Sequence, residues 1–257
     1  MRLLVSVLSP GEARAALAGG ADIVDVKNPA EGALGAAPPA TLRAIRAAVA
    51  LPTPVSAALG DAPHLPGTLA LAAYGAAACG IDFLKVGLLG SRRPAAALEL
   101  LAAVRGAALE ADPRVRVVAV AYADADRVGG LPPRELPEVA AAAGVDGVLL
   151  DTFLKDGTTV FGALGDRDIA AFLAAARAAG LLAGLAGSLR AEDFARAREL
   201  GADVVGVRGS ACDGGRAGRI STDRVRALRA ALDLSRSASP APALPPVAPG
   251  AAPDAAH

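Results

Sequence analysis

Eight short, β-branched apolar runs alternate along this chain with eight Ala/Leu/Arg-rich stretches of helical length, and that alternation leaves few folds open. The runs fall near 2–8, 22–26, 54–58, 82–86, 115–121, 146–150, 181–185 and 203–207. The helical stretches fall near 10–19, 39–49, 67–79, 92–110, 134–143, 166–179, 190–199 and 221–233. Short connections between unlike elements imply parallel strands joined by right-handed crossovers, and eight such units close into a (β/α)8 TIM barrel. The length, 257 residues, suits one barrel. An open doubly wound sheet is the competing fold. It calls for a Gly-rich fingerprint after an early strand, and the sequence has none.

A small repeat marks the units in pairs. Gly20-Ala21-Asp22, Gly80-Ile81-Asp82, Gly144-Val145-Asp146 and Gly201-Ala202-Asp203 precede strands two, four, six and eight. Glycine just past a helix takes the left-handed conformation that ends it. The four Asp then lie at the N-terminal ends of strands, where barrels keep stability rather than catalysis.

Hydrophobic residues make up 53% of the chain and aromatics 3%, so the core is built from Ala, Leu and Val. With zero formal net charge there is no sign of a polyanion-binding surface, and no nucleic-acid partner is expected. Two cysteines, Cys79 and Cys212, argue against a disulfide framework or a four-cysteine metal site. Two histidines, His64 and His257, leave no basis for a multi-histidine metal site or a His-based triad. The first strand starts at residue 2 without a signal-peptide pattern before it, and 65–81 reads as a buried helix rather than a membrane span. The expected setting is cytoplasmic, with no membrane partner. From residue 235 the composition turns to Ser, Ala and Pro. This divides the chain into a catalytic barrel, 1–234, and a low-complexity, disordered tail, 235–257.

Of the 26 basic residues, three are lysine and 23 arginine. The Ala, Gly, Pro and Arg content suggests a GC-rich genome that replaces lysine wherever charge alone matters. Lysine survives where arginine cannot serve, because arginine neither deprotonates in a protein nor forms a Schiff base. Lys27, Lys85 and Lys155 all fall just past or at the end of a strand, on the catalytic face of a barrel. Placement of all three there by chance has odds on the order of one in a hundred.

Other polar residues share that face: Asp25, Ser56, Asp61, Tyr122, Asp124 and Asp151. Asp25 and Lys27 are two apart and so share one face of their strand, while Val24 and Val26 point to the helices; Phe83 and Lys85 pair the same way. Burial and a nearby second cation both lower a lysine pKa and yield the neutral amine that attacks carbonyls. The alternative for Lys27 is a structural ion pair with Asp25. After strands seven and eight, Gly187-Ser188 and Arg208-Gly209-Ser210 occupy the place where barrels often bind phosphate through backbone N–H groups. Arg208 is placed either to clamp phosphate or to pair with a carboxylate at the barrel end. Tyr122 reads equally as proton donor or packing, Cys212 as a small spacer, and His64 as a loop residue.

These residues, with Asp25-Val26-Lys27-Asn28-Pro29, Glu31-Gly32, Asp82-Phe83-Leu84-Lys85-Val86-Gly87, Ala121-Tyr122-Ala123-Asp124, Leu150-Asp151-Thr152, Lys155-Asp156-Gly157, Leu185-Ala186-Gly187-Ser188 and Val207-Arg208-Gly209, resemble the (5-formylfuran-3-yl)methyl phosphate synthase family. The family is also called 4-(hydroxymethyl)-2-furancarboxaldehyde-phosphate synthase, and the likeness runs to about residue 234. It implies a carbon–oxygen lyase that condenses two glyceraldehyde 3-phosphates into a furan, with loss of one phosphate and two waters. The product is a precursor of methanofuran, or of its counterpart in bacterial one-carbon metabolism. Lys27 is implied as the Schiff-base lysine and Lys85 as the proton acceptor, supported by Asp25, Asp151 and Lys155. No metal or organic cofactor is implied. The expected partners are the triose phosphate and further copies of the chain in a homo-oligomer. Two other readings stay open: another class I aldolase acting on a phosphosugar, and a non-catalytic phosphosugar-binding protein.

Overall fold

The computed structural model describes residues 1–61 and 64–235. Eight parallel strands, β1 (Arg2–Val7), β2 (Ile23–Val26), β3 (Val55–Ala58), β4 (Phe83–Gly87), β5 (Arg116–Tyr122), β6 (Gly147–Asp151), β7 (Leu182–Leu185) and β8 (Val204–Val207), pair in sequence order. β8 also pairs with β1, so the sheet closes. Around it run α1 (Pro10–Ala18), α2 (Pro39–Ala48), α3 (Pro66–Ala77), α4 (Pro94–Ala111), α5 (Leu136–Ala142), α6 (Asp166–Ala178), α7 (Asp193–Glu199) and α8 (Thr222–Leu234). The fold is the (β/α)8 barrel that the alternation predicts. Proline opens each of α1 to α4, where its fixed φ suits a first turn and its missing N–H would have had no helical partner. The expected disordered tail lies, from residue 236 on, outside the described residues. No helix among the described residues is long and apolar enough to cross a membrane.

The Gly-x-Asp repeat is a clamp used four times. Gly20, Gly80, Gly144 and Gly201 all have left-handed φ, between 69° and 95°. Each Asp then grips one residue of the preceding strand from both sides. The Asp22 N–H donates to the Leu3 carbonyl, and its carboxylate accepts from the Leu3 N–H at 2.7 Å. Asp82 does the same to Val55, Asp146 to Val117 and Asp203 to Ala183. The barrel is thus pinned at its lower end into strand pairs 1–2, 3–4, 5–6 and 7–8. It also follows that β2, β4, β6 and β8 each start one residue later than the apolar pattern suggests, because the Asp is clamp rather than ladder. Asp82 additionally holds Arg46 at 2.8 Å. Asp82→Ala should cost about 1–3 kcal/mol, since it strips two donors of a charged acceptor. A lowered urea midpoint with an unchanged urea slope and unchanged turnover per folded molecule would check it.

Strand alternation divides the side chains cleanly. Leu3, Val5, Val7, Val24, Val26, Val55, Ala57, Leu84 and Val86 face the helices and join the large outer core. Facing inward at the lower end, Leu4, Ile23, Val204 and Leu182 form an apolar plug. Above it, Phe83, Val118, Val120 and Leu149 fill the middle. The next inward positions toward the C-terminal ends are Ser6, Asp25, Ser56, Lys85 and Asp151, all buried. Charge is therefore set on an apolar floor, where it is shielded from water on one side.

Candidate active site

One cavity of about 760 Å³ opens at the C-terminal ends of the strands, and all ten site residues singled out from the sequence line it. They form two groups. Asp25, Lys27, Lys85, Asp151 and Lys155 come from β2, β4, β6 and the turns after them. Gly187, Ser188, Arg208, Gly209 and Ser210 follow β7 and β8.

Asp25 is fully buried and its oxygens are fully used. Oδ1 accepts from Ser56 Oγ at 2.6 Å and lies 2.7 Å from Lys85 Nζ; Oδ2 accepts from Ser6 Oγ at 2.8 Å. Burial alone would raise its pKa, but Lys85 and Lys27 outweigh burial and hold it below the usual carboxylate value. Asp25 thus pairs with Lys85 and not with Lys27, its neighbour on the strand, so the ion-pair alternative for Lys27 does not hold.

At the opposite side of the cavity, Asp151 is the second buried carboxylate. It accepts from Lys155 Nζ at 2.8 Å and from the Thr152 N–H at 2.7 Å. Burial again opposes ionisation, and Lys155 and Lys27 again outweigh it. Lys155 Nζ also donates to the Thr152 carbonyl at 2.5 Å and contacts its hydroxyl at 3.3 Å. All three of its N–H bonds are directed at residues 151 and 152.

Lys27 stands between these pairs. It is 7% exposed, faces the cavity, and makes no side-chain hydrogen bond or ion pair among the described residues. Burial lowers its pKa from 10.5 to about 8; Lys85 and Lys155 push the same way, while Asp151 and Asp25 oppose them. Roughly a tenth of such an amine is neutral at pH 7, against less than a thousandth of an ordinary lysine. The arrangement sets a buried amine of lowered pKa between two lysine–carboxylate pairs, a geometry able to form a Schiff base and to pass protons.

In the second group, Gly187 and Ser188 have consecutive left-handed φ values of 97° and 55°. Ser210 Oγ donates to the Leu189 carbonyl at 2.9 Å and ties the β7 and β8 loops together. Arg208 takes the second of its two readings. It pairs with Glu12 at 3.0 Å and donates to the carbonyls of Ser6, Arg216 and Gly218. With a further contact from Nη2 to Glu12, all five N–H bonds are occupied, leaving none for a phosphate. Arg208 is the pin between β8, α1 and its own loop.

The remaining candidates resolve as structure. The buried Tyr122 hydroxyl donates to Asp61, whose other oxygen accepts the Leu34 N–H at 2.8 Å. Burial raises both pKa values, and the pair fixes the loop after β2. Asp124 accepts the N–H groups of Phe153 and Leu154, bracing the loop that carries Lys155. Cys212 is buried and burial raises its thiol pKa, in keeping with a spacer. His64 sits in a loop 3.7 Å from Glu99. The sequence reading gave no role to Ser6, Thr152 or Arg216. Ser6 had a readable signal, a hydroxyl two residues beyond Leu4 on the inward face of β1; Thr152 and Arg216 stood only as members of the segments after strands six and eight.

A sequence profile of the 4-HFC-P synthase family matches residues 3–229. Proteins named (5-formylfuran-3-yl)methyl phosphate synthase from Methanothermobacter thermautotrophicus and Methanopyrus kandleri are 47% and 48% identical to the chain. They align over 91% and 90% of it and over 99% and 98% of their own lengths. Among solved structures, 3-hexulose-6-phosphate synthase from Salmonella typhimurium superposes with a TM-score of 0.62, over 91% of this chain and 100% of that one. Its sequence is 17% identical, a likeness of fold alone. Profile and relatives cover the same barrel that carries the lysine cluster, and the chain belongs to the 4-HFC-P synthase family of enzymes.

Proposed function

We propose that the enzyme condenses two molecules of glyceraldehyde 3-phosphate through a Schiff base at Lys27. The product is (5-formylfuran-3-yl)methyl phosphate, with release of one phosphate and two waters. The observation that carries this reading is Lys27 itself: a buried amine with lowered pKa, committed to no partner, facing a cavity. The names of the relatives supply the product. The reaction class is a carbon–oxygen lyase acting on a phosphate, and the furan serves as a precursor of methanofuran-type one-carbon cofactors.

The chemistry follows from the two lysine–carboxylate pairs. The neutral Lys27 amine adds to the aldehyde of one triose, and loss of water leaves an iminium. Lys85, poised on Asp25, donates the proton that departs with that water. Having given up that proton, it is left as an amine in the same cavity and can take the acidified C–H proton. Phosphate leaves, a carbon–carbon bond forms to the second triose, and dehydration closes the ring. The Asp151–Lys155 pair moves protons in these later steps. Amide N–H groups of Gly187, Ser188, Gly209 and Ser210 hold the retained phosphate, since the left-handed turn at Gly187–Ser188 and the start of the short 3-10 helix Gly209–Ala211 leave such groups without a helical partner. Arg208 shapes this cradle from behind.

Purified enzyme given glyceraldehyde 3-phosphate alone should yield a near-UV-absorbing aldehyde and inorganic phosphate in equal amounts. Release of trioses from a larger phosphosugar, with no chromophore, would instead identify another class I aldolase. The pH dependence is distinctive too. The initial rate of adduct formation at Lys27 should rise with pH, because the neutral amine is the reactive form. It should level off above about 8, where the lowered pKa lies. A rate still climbing toward 10.5 would mean that Lys27 behaves as an ordinary lysine.

A further inference from the structure

Three arginines near the cavity mouth are committed elsewhere: Arg208 to Glu12, Arg190 to Glu192 and Arg224 to Asp213. Arg216 differs. It lines the cavity, is half-buried, and makes no ion pair among the described residues. Its side-chain hydrogen bond runs from Nη2 to the Gly32 carbonyl at 3.3 Å, across the mouth to the loop after β2. One N–H of five is used, so an oriented guanidinium presents most of its fork to the cavity.

The loop that carries it is built at some cost. Cys212–Asp213 pairs antiparallel with Arg219–Ile220, forming a small hairpin above the barrel. Gly214 and Gly215 both have left-handed φ, 83° and 72°. At Gly218 a Cβ would lie 1.8 Å from the Asp213 carbonyl oxygen, so the turn closes only around glycine. Arg208 grips the loop through the carbonyls of Arg216 and Gly218, both at 3.1 Å. Arg216 lines the same cavity as Lys27, Lys85 and Lys155; Asp151 and Asp61 attract its charge and Arg208 repels it.

A condensation of two triose phosphates brings two phosphates into one cavity, and the backbone cradle accounts for one. We propose that Arg216 binds the other, the phosphate of the triose attached to Lys27, an inference that rests on the triose-phosphate reading above. Guanidinium and phosphate match as bidentate partners, and the same contact stabilises the dianion as it leaves.

The test compares wild type, Arg216→Gln and Arg216→Lys by borohydride trapping at Lys27, with glyceraldehyde 3-phosphate and with unphosphorylated glyceraldehyde. Arg216→Gln should raise the half-saturating concentration of the phosphate ester roughly 10- to 100-fold, the range of one charge-assisted contact. Glyceraldehyde should be trapped as in wild type, and Arg216→Lys should recover part of the loss. Inorganic phosphate should compete with the ester in wild type and far less in Arg216→Gln. Equal losses with both aldehydes would overturn the assignment by showing that Arg216 merely holds the loop, as would no change with either. If wild type traps the ester but makes no furan, the synthase reading falls while this comparison still reads Arg216. If wild type traps nothing, the number of inorganic phosphates bound, read by equilibrium dialysis, decides: two in wild type and one in Arg216→Gln supports the assignment, and the same number in both overturns it.

Discussion

Lys27→Arg is expected to eliminate the borohydride-trappable adduct and to lower furan formation by roughly 10⁴-fold or more. The substitution keeps the positive charge, so the field that holds Asp25 and Asp151 ionised survives. What disappears is the amine that can shed its proton and bond to carbon. Flanking groups cannot replace it: Lys85 Nζ is 2.7 Å from Asp25, and Lys155 Nζ donates to Asp151 and Thr152. Mass spectrometry of the reduced enzyme should therefore find no adduct on any peptide of the variant, and one on the Lys27 peptide of wild type. An adduct migrating to Lys85 or Lys155 with turnover preserved would show that the cavity, rather than this one lysine, carries the chemistry.

Much of this was legible in the sequence because a barrel writes its fold twice. The alternation of runs gives the eight units, and the Gly-x-Asp repeat marks where every second strand begins. The lysines were legible for a different reason. In a chain that spells positive charge as arginine, three lysines stand out, and the strand-end rule places them at the cavity they line. Single-turn helices at Ala125–Val128 and Val160–Ala163 were not legible, being too short to leave a periodic pattern.

Partner choice was also beyond the sequence. Asp25 shares a strand face with Lys27, and spacing alone joins them. In the barrel, β3 lies between β2 and β4, and the stagger of the closed sheet brings Lys85 across to Asp25 instead. Likewise Arg208 and Arg216 stand in one glycine-rich loop with the same charge. Only the neighbourhood of Glu12, from a helix almost 200 residues earlier, separates the pinned arginine from the one facing the cavity. Such distinctions depend on contacts between distant segments, which no local pattern encodes.

That long-range pairing makes Asp25→Asn the second substitution with a large expected effect. The amide is nearly isosteric. Its oxygen can still accept from Ser56, and the Ser6 hydroxyl can turn to accept from its NH2 group. What is removed is the charge facing a lysine that is 4% exposed. An unpaired ammonium there should cost about 3 kcal/mol of stability. Turnover should fall about 10³-fold, because the proton that leaves with water no longer has its poised donor. The double variant Asp25→Asn/Lys85→Met separates the two effects: it should regain most of the lost stability, since the unpaired buried charge is gone, and regain none of the activity. Urea denaturation, set beside single-turnover furan formation, reads both quantities. If activity returns with stability in the double variant, the Asp25–Lys85 pair is scaffolding, and proton transfer must be assigned to Asp151 and Lys155 instead.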